Sequence, residues 1–292
     1  MKYMFLRYPG GKFKAVTLSY DDGSIHDVRL VDTLNKYGLK CTFNFHNSVV
    51  TSPSPEKISI DEINEKILGM GHEVAVHGRT HAALGVTPSF NAVREVVEGR
   101  LELERRFDRI IRGFVYPDTM KFITGEKYER IKSYLQEMSL VYARVAVTDY
   151  HDYLKDSEGF CLPSDWHFWV PVAHHDNKKI FDYLDSFLAL DENKIYRASR
   201  HPRIFYIWGH SSEFESKGHW DHLENLCQKL SGKDDTWYAT NMEIYEYVKA
   251  YESLVLSADC TKVYNPTLQT VWFTADNILH SVKPGETVVI DD

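Results

Sequence analysis

Two aspartates stand side by side in Leu18-Ser19-Tyr20-Asp21-Asp22-Gly23. Adjacent carboxylates repel, and one is driven toward protonation unless a cation lies beside the pair. A metal ion is the simplest means of keeping both ionised. A turn with two solvated carboxylates is the plainer alternative, since Asp and Gly are ordinary turn residues. Farther along, His77-Gly78-Arg79-Thr80-His81 sets histidines at i and i+4. On a helix, or a turn of similar rise, that spacing puts both imidazoles on one side. Two imidazoles and one carboxylate on one face of a metal leave positions open for water and substrate. A further proton-handling residue, His210, follows Trp208-Gly209.

The elements that must position these side chains read as strands. Ala15-Val16-Thr17-Leu18 is a short buried run that ends at the aspartate pair. Glu73-Val74-Ala75-Val76 ends at His77, and Ile204-Phe205-Tyr206-Ile207-Trp208 ends at Gly209-His210. Between them lie helical patterns. One covers Ser24 to Tyr37, with Ile25, Val28, Val31 and Leu34 on one face and Gly38 as its stop. Others follow Ser59 (with Glu62 as capping-box partner), run from Phe90 to Phe107, Glu126 to Glu137, Lys178 to Leu190 and Trp220 to Leu230, and follow Thr240 to about Leu254. Further strands are expected at Lys40 to His46, Ile110 to Tyr116, Leu140 to Val147 and Thr236 to Ala239. Alternating strands and helices imply a parallel sheet. About seven such units, without a nucleotide-type glycine loop, favour an α/β barrel over an open sheet across residues 1–254. In such a barrel the strand ends carrying Asp21, Asp22, His77 and His210 share the face where active sites collect. Residues 255–292 change character, with Asn-Pro and Pro-Gly turns between short β-type runs, and read as a small β-rich extension.

Composition narrows the classes. The chain has 292 residues, 43% of them apolar and 26% charged, as expected of a globular protein. A net charge of −8 opposes nucleic-acid binding and anionic membrane surfaces. No stretch approaches the roughly 20 apolar residues of a membrane span. The N-terminal residues form no signal-peptide core, and the four cysteines are scattered without a CxxC pair. Both features suggest a cytoplasmic protein with free thiols. The 18 Tyr and 6 Trp offer stacking platforms for sugar rings as well as core. The pattern carries no signal for an oligomeric state.

The motifs together resemble those of the polysaccharide deacetylases, the NodB-type carbohydrate esterase family 4. Ser19-Tyr20-Asp21-Asp22-Gly23 is similar to that family's Thr-Phe-Asp-Asp-Gly. His77-Gly78-Arg79-Thr80-His81 is similar to its His-Ser/Thr-x-x-His, with Gly in place of the hydroxyl residue, and Trp208-Gly209-His210-Ser211 matches its late histidine motif. The motifs fall in family order over roughly residues 13 to 250. The resemblance implies that Asp22, His77 and His81 bind a divalent metal, Zn2+ first, with Co2+, Ni2+ or Fe2+ accepted by the same ligands. It implies Asp21 as general base and His210 as general acid in hydrolysis of an acyl group. A backbone N–H near Pro117-Asp118-Thr119 would assist at the oxyanion. The resemblance implies a distorted (β/α)7-type barrel, in agreement with the strand count.

Two departures stand out. The family's third motif has Arg before Pro-Pro-Tyr, and that Arg steadies the base. In Phe114-Val115-Tyr116-Pro117-Asp118 its place is taken by Val115. Arg144 is the leading substitute, ahead of Arg112 and Arg79. The fourth motif, an Asp-Trp pair, is matched by Asp165-Trp166, where the Asp would orient the acid His and the Trp would wall the acetyl pocket. Tyr116, Trp166 and Trp169 are candidates to stack on a sugar, and His46 to line the pocket. His174-His175-Asp176 offers three polar ligand types that could touch a metal or a sugar, but reads first as a loop before a helix capped by Asp176 or Asn177, and Glu213 as rim. The substrate implied is an acetylated sugar or oligosaccharide, by N- or O-deacetylation. The alternatives are a ring amide, as with the family's allantoinase-like relatives, or a catalytically inactive carbohydrate-binding homologue. A non-haem iron oxygenase also uses two His and a carboxylate, but usually on an all-β scaffold.

Overall fold

The structure, a computed structural model, describes residues 3–118, 125–144, 160 and 173–290. Its centre is strand β2 (Lys14–Asp21), of which every residue is buried. Val16, Leu18 and Tyr20 alternate with Thr17, Ser19 and Asp21 along it, and both sets are buried. β1 is Met4–Arg7. After β2 come β3 (Cys41–Phe45), β4 (Glu73–Val76), β5 (Gly113–Val115), β6 (Tyr142–Arg144), β7 (Ala173–His174), β8 (Arg203–Gly209) and β9 (Thr236–Tyr238). Among the described residues, the order β6-β5-β4-β3-β2-β8-β7 is parallel throughout. β2 pairs with β8 along one side. On the other side its last residues meet β3 and its first meet β9. Seven parallel strands in one curved path are the distorted (β/α)7 arrangement expected from the sequence. Among the described residues β6 and β7 end the path without pairing to each other.

The helices pack apolar stripes on this sheet. Asp27–Lys36 buries Leu30, Val31 and Leu34, and Ser89–Phe107 buries Ala92, Val96 and Leu103. The capping boxes at Ser59/Glu62 and Thr240/Glu243 both form. The first helix begins three residues later than its periodicity suggests, because Ser24 makes a bridge to Lys57 instead. The segment after Glu62 winds as a π-helix over Ile63–Leu68 rather than a regular α-helix. A helix at Ser211–Lys217 was not anticipated. The helix after His174-His175-Asp176 starts at Ile180, and Asn177 Oδ1 accepts the Lys179 N–H at 2.8 Å in the preceding turn. Among the described residues no helix is long and apolar enough to cross a membrane.

The C-terminal segment forms β10 (Val255–Leu256), β11 (Lys262–Tyr264), β12 (Val271–Ala275), β13 (Ile278–Val282) and β14 (Thr287–Val289). They make two small antiparallel sheets, β10-β11-β14 and β1-β12-β13, around a core of Val263, Val271, Phe273 and Val282. β1 thus joins the C-terminal strands and not the parallel sheet, so the first and last parts of the chain close on each other.

Candidate active site

Asp21 is the last residue of β2, and Asp22 and Gly23 turn away from it with φ of 79° and 66°. A left-handed conformation is costly for an aspartate. Here it points the two neighbouring carboxylates in different directions. Asp21 goes inward and is 4% exposed. Its Oδ1 accepts from Asn44 Nδ2 at 2.7 Å, and Arg144 Nη2 donates to both oxygens at 2.6 and 2.5 Å. Burial pushes the Asp21 carboxyl upward. The attraction of Arg144, then of His77 and His210, outweighs it and holds the group below the usual carboxylate range. The Arg144 guanidinium is covered by the Trp208 ring, 5.0 Å from its centroid.

Asp22 faces the histidines. Its Oδ1 lies 3.6 Å from His77 Nε2 and 3.4 Å from His81 Nε2, and its Oδ2 lies 3.6 Å from His210 Nε2. The segment 77–81 is not a helix. It is a bend in which Gly78 and His81 have φ of 79° and 61°. The positive φ at Gly78 accounts for glycine where the resembling family has a hydroxyl residue. The bend is held by Glu95 on the helix Ser89–Phe107. That carboxylate accepts the N–H of Arg79 at 3.1 Å, the N–H of Thr80 at 2.7 Å and the Thr80 hydroxyl at 2.8 Å. His77 sits at the end of β4 with Nδ1 2.9 Å from the Val115 carbonyl. A carbonyl only accepts, so Nδ1 carries the proton and Nε2 presents a lone pair toward Asp22. Burial lowers His77 to about 4, against the pull of Asp21 and Asp22, so the imidazole is neutral, as a ligand must be.

These three side chains fit a metal ion. Asp22 Oδ1 is buried without a hydrogen-bond partner. Bonds of about 2.1 Å at tetrahedral angles place donor atoms about 3.4 Å apart, close to the observed separations from Asp22 to the two histidines. Asp22, His77 and His81 form one of two metal-capable groups among the described residues.

His210 caps the helix Ser211–Lys217, with the Glu213 carboxylate 3.4 Å from its backbone N–H. Glu213 Oε2 also lies 3.6 Å from His210 Nδ1. Burial lowers the His210 imidazolium, but the bond to Glu213 and the charges of Asp21 and Asp22 more than offset this and raise it.

The structure brings Asp21, Asp22, His77, His81, Arg144 and His210 together. Arg112 pairs with Glu246, and Arg79 with Glu98, away from Asp21. Tyr116 is 4% exposed with its ring edge on Phe114. It is core, so the expectation of a sugar-stacking platform is corrected. Pro117 packs against Gly78, where an added Cβ would meet Pro117 Cγ at 3.4 Å. Asp118 turns outward at φ 49°. Thr119, Asp165, Trp166 and Trp169 lie outside the described residues. Sequence reasoning overlooked Asn44, Glu95 and Asp27, and placed Glu213 only at the rim. A polar residue inside the apolar run Thr42-Phe43-Asn44-Phe45 was the available signal for Asn44. Asp27 is fully buried at the start of the first helix, and burial, opposed only in part by the Ser211 hydroxyl, pushes it up to about 8.

Residues 6–140 match the family model for polysaccharide deacetylase. No curated protein matches the chain. Among solved structures, a candidate polysaccharide deacetylase from Mycobacterium smegmatis is similar over 85% of this chain and 94% of its own, at 18% identity and a TM-score of 0.57. A point mutant of peptidoglycan deacetylase PdaC from Bacillus subtilis is similar over 84% and 95%, at 17% identity and a TM-score of 0.50. The Streptococcus pyogenes deacetylase PplD is 18% identical with a TM-score of 0.36, over 40% of this chain and half of that one. The resemblance to the polysaccharide deacetylases is therefore shown by sequence over residues 6–140 and by fold over most of the chain.

Proposed function

We propose that this protein is a metal-dependent hydrolase that removes acetyl groups from an acetylated sugar or oligosaccharide. The observation that carries the reading is the division between two adjacent aspartates. Asp21 is buried and gripped by Arg144, whereas Asp22 presents a bare Oδ1 to two histidines. A divalent cation held by Asp22, His77 and His81, Zn2+ first, would polarise a carbonyl oxygen and lower the pKa of water. Asp21, kept ionised by Arg144, accepts the proton of the attacking water. His210 presents Nε2 toward the other oxygen of Asp22, and its raised proton affinity suits donation to a leaving nitrogen or oxygen.

A saccharide suits the surroundings. Beside the His81 ring, past His46, lies a cavity of about 530 Å³ lined by His46, Asn47, Ser48, Arg79, Thr80 and Glu102. Its walls offer hydroxyl, amide and charged groups to a hydroxyl-rich ligand. The test is acetate release from N-acetylglucosamine oligomers and O-acetylated xylan fragments, before and after chelation. Release that stops on chelation and returns with a divalent metal supports the proposal. Release indifferent to chelation, or opening of a cyclic ureide without any acetate release, counts against it.

A further inference from the structure

Beside His210 a second group of donor atoms converges. β7 and the turn after it deliver His174, His175 and Asp176, and the helix Ser211–Lys217 delivers Glu213. Glu213 Oε2 lies 3.0 Å from His174 Nε2 and 3.2 Å from His175 Nε2, and Asp176 Oδ1 lies 3.7 Å from His175 Nε2. All four donors fall within 4.8 Å of one another.

His175 is the telling member. It is 0% exposed, and neither ring nitrogen has a hydrogen-bond partner. The ring is stacked on Phe214 at 4.1 Å and on Tyr20 at 5.6 Å. Its Nδ1 edge abuts Gly209, where an added Cβ would come within 1.8 Å. It is wedged with Nε2 aimed at the two carboxylates. Burial lowers it to about 3, so the imidazole is neutral. Buried polar nitrogens without partners are rare and call for an explanation.

We propose that His174 Nε2, His175 Nε2, Glu213 Oε2 and Asp176 Oδ1 bind a second divalent transition-metal ion, separate from the Asp22-His77-His81 group. Bonds of about 2.1 Å place neighbouring donors between about 3.0 Å apart at right angles and about 3.4 Å apart at tetrahedral angles, and the two Glu213 distances fall in that interval. Two imidazoles with two carboxylates favour zinc, iron, manganese or nickel over calcium or magnesium. Lys217 pairs with Asp176 through Oδ2, while Oδ1 lies between His175 Nε2 and His219 Nδ1, 3.4 Å from the latter, a long contact that metal binding would give up. His174 Nδ1 receives the Asp176 N–H at 3.3 Å, a long contact. Metal binding moves the His174 proton from Nε2 to Nδ1 and gives up that contact. The ion ties β7 to the start of the helix that carries His210.

The test is metal content by elemental analysis of the full chain, stripped with chelator and re-equilibrated with excess zinc. Wild type should hold two equivalents. Asp22→Asn/His81→Gln should keep one, and so should Glu213→Gln and Asp176→Asn. Asp176 is partly exposed, so its variant reports even if Glu213→Gln fails to fold. In the Asp22→Asn/His81→Gln background zinc should still raise the melting temperature, and adding Asp176→Asn should remove that rise. One equivalent in wild type, absent from Asp22→Asn/His81→Gln and untouched by Asp176→Asn, overturns the second site. One equivalent that instead survives Asp22→Asn/His81→Gln and vanishes with Asp176→Asn supports it and defeats the assignment at Asp22.

Discussion

Arg144 Nη2 lies 2.5 Å from Asp21 Oδ2, and both side chains are almost wholly buried. The two residues are 123 positions apart in sequence and meet because β6 and β2 end on the same face of the sheet. Arg144 is the register partner of Val115 on β5. The positive charge therefore reaches the aspartate from the strand next to the one where the third motif would carry it. Val115 keeps a different task, since its carbonyl fixes His77.

This pairing predicts a stability cost. Arg144→Met leaves the Asp21 charge buried and unpaired, which should destabilise the protein by about 3–5 kcal/mol in urea denaturation. Adding Val115→Arg to that variant should recover part of the loss. A double variant no more stable than Arg144→Met would mean that β5 cannot deliver the charge.

Glu95 should matter to metal affinity without touching the metal. Its carboxylate holds the bend that carries His81. Glu95→Ala should weaken zinc binding by about 10–100-fold, the usual effect of removing a group that orients a ligand. Competition with a chromogenic chelator measures it, and an unchanged dissociation constant would remove Glu95 from the account.

Gly78→Ala forces a side chain onto a backbone with φ of 79° beside Pro117 and Glu95. The conformation costs an L-residue about 1–2 kcal/mol. The variant should lose that much stability and bind metal less tightly. An alanine variant as stable as wild type would show that the bend can relax.

Asp27 predicts a pH dependence. Its folded pKa is raised by burial to about 8, against about 3.9 in an unfolded chain. A raised value means the folded state holds its proton longer, so stability present below about pH 4 is lost as pH climbs toward 8. Asp27→Asn keeps the group neutral. Its advantage over wild type should widen steadily from pH 4 to 8 in urea midpoints. A constant difference across that range would mean that Asp27 is ionised in the fold.

Much of this was legible in the chain because the candidate site residues stand at strand ends. Short strand patterns with clear stops, such as β2 ending at Asp21 and β4 at Val76, let Asp21, Asp22, His77 and His210 be placed on one face. What escaped were contacts set by three-dimensional closure. Arg144 could be nominated but not placed, because nothing local to β6 marks its partner. Glu213 reads as an ordinary third residue of a helix, and only the fold shows its carboxylate shared among three histidines. β7 has two residues, too few for any periodicity. β1 was not among the expected strands, and it pairs with β12, about 270 positions away, a registry that no local pattern encodes.

The central claim is that the adjacent aspartates do different work, and Asp21→Asn tests it most directly. Acetate release and zinc content should be measured on the same preparation. The account predicts turnover lower by about 10²–10⁴-fold, the usual worth of a general base, with the zinc at the Asp22-His77-His81 group retained. Turnover at the wild-type rate with metal bound, or loss of that zinc together with activity, would contradict it.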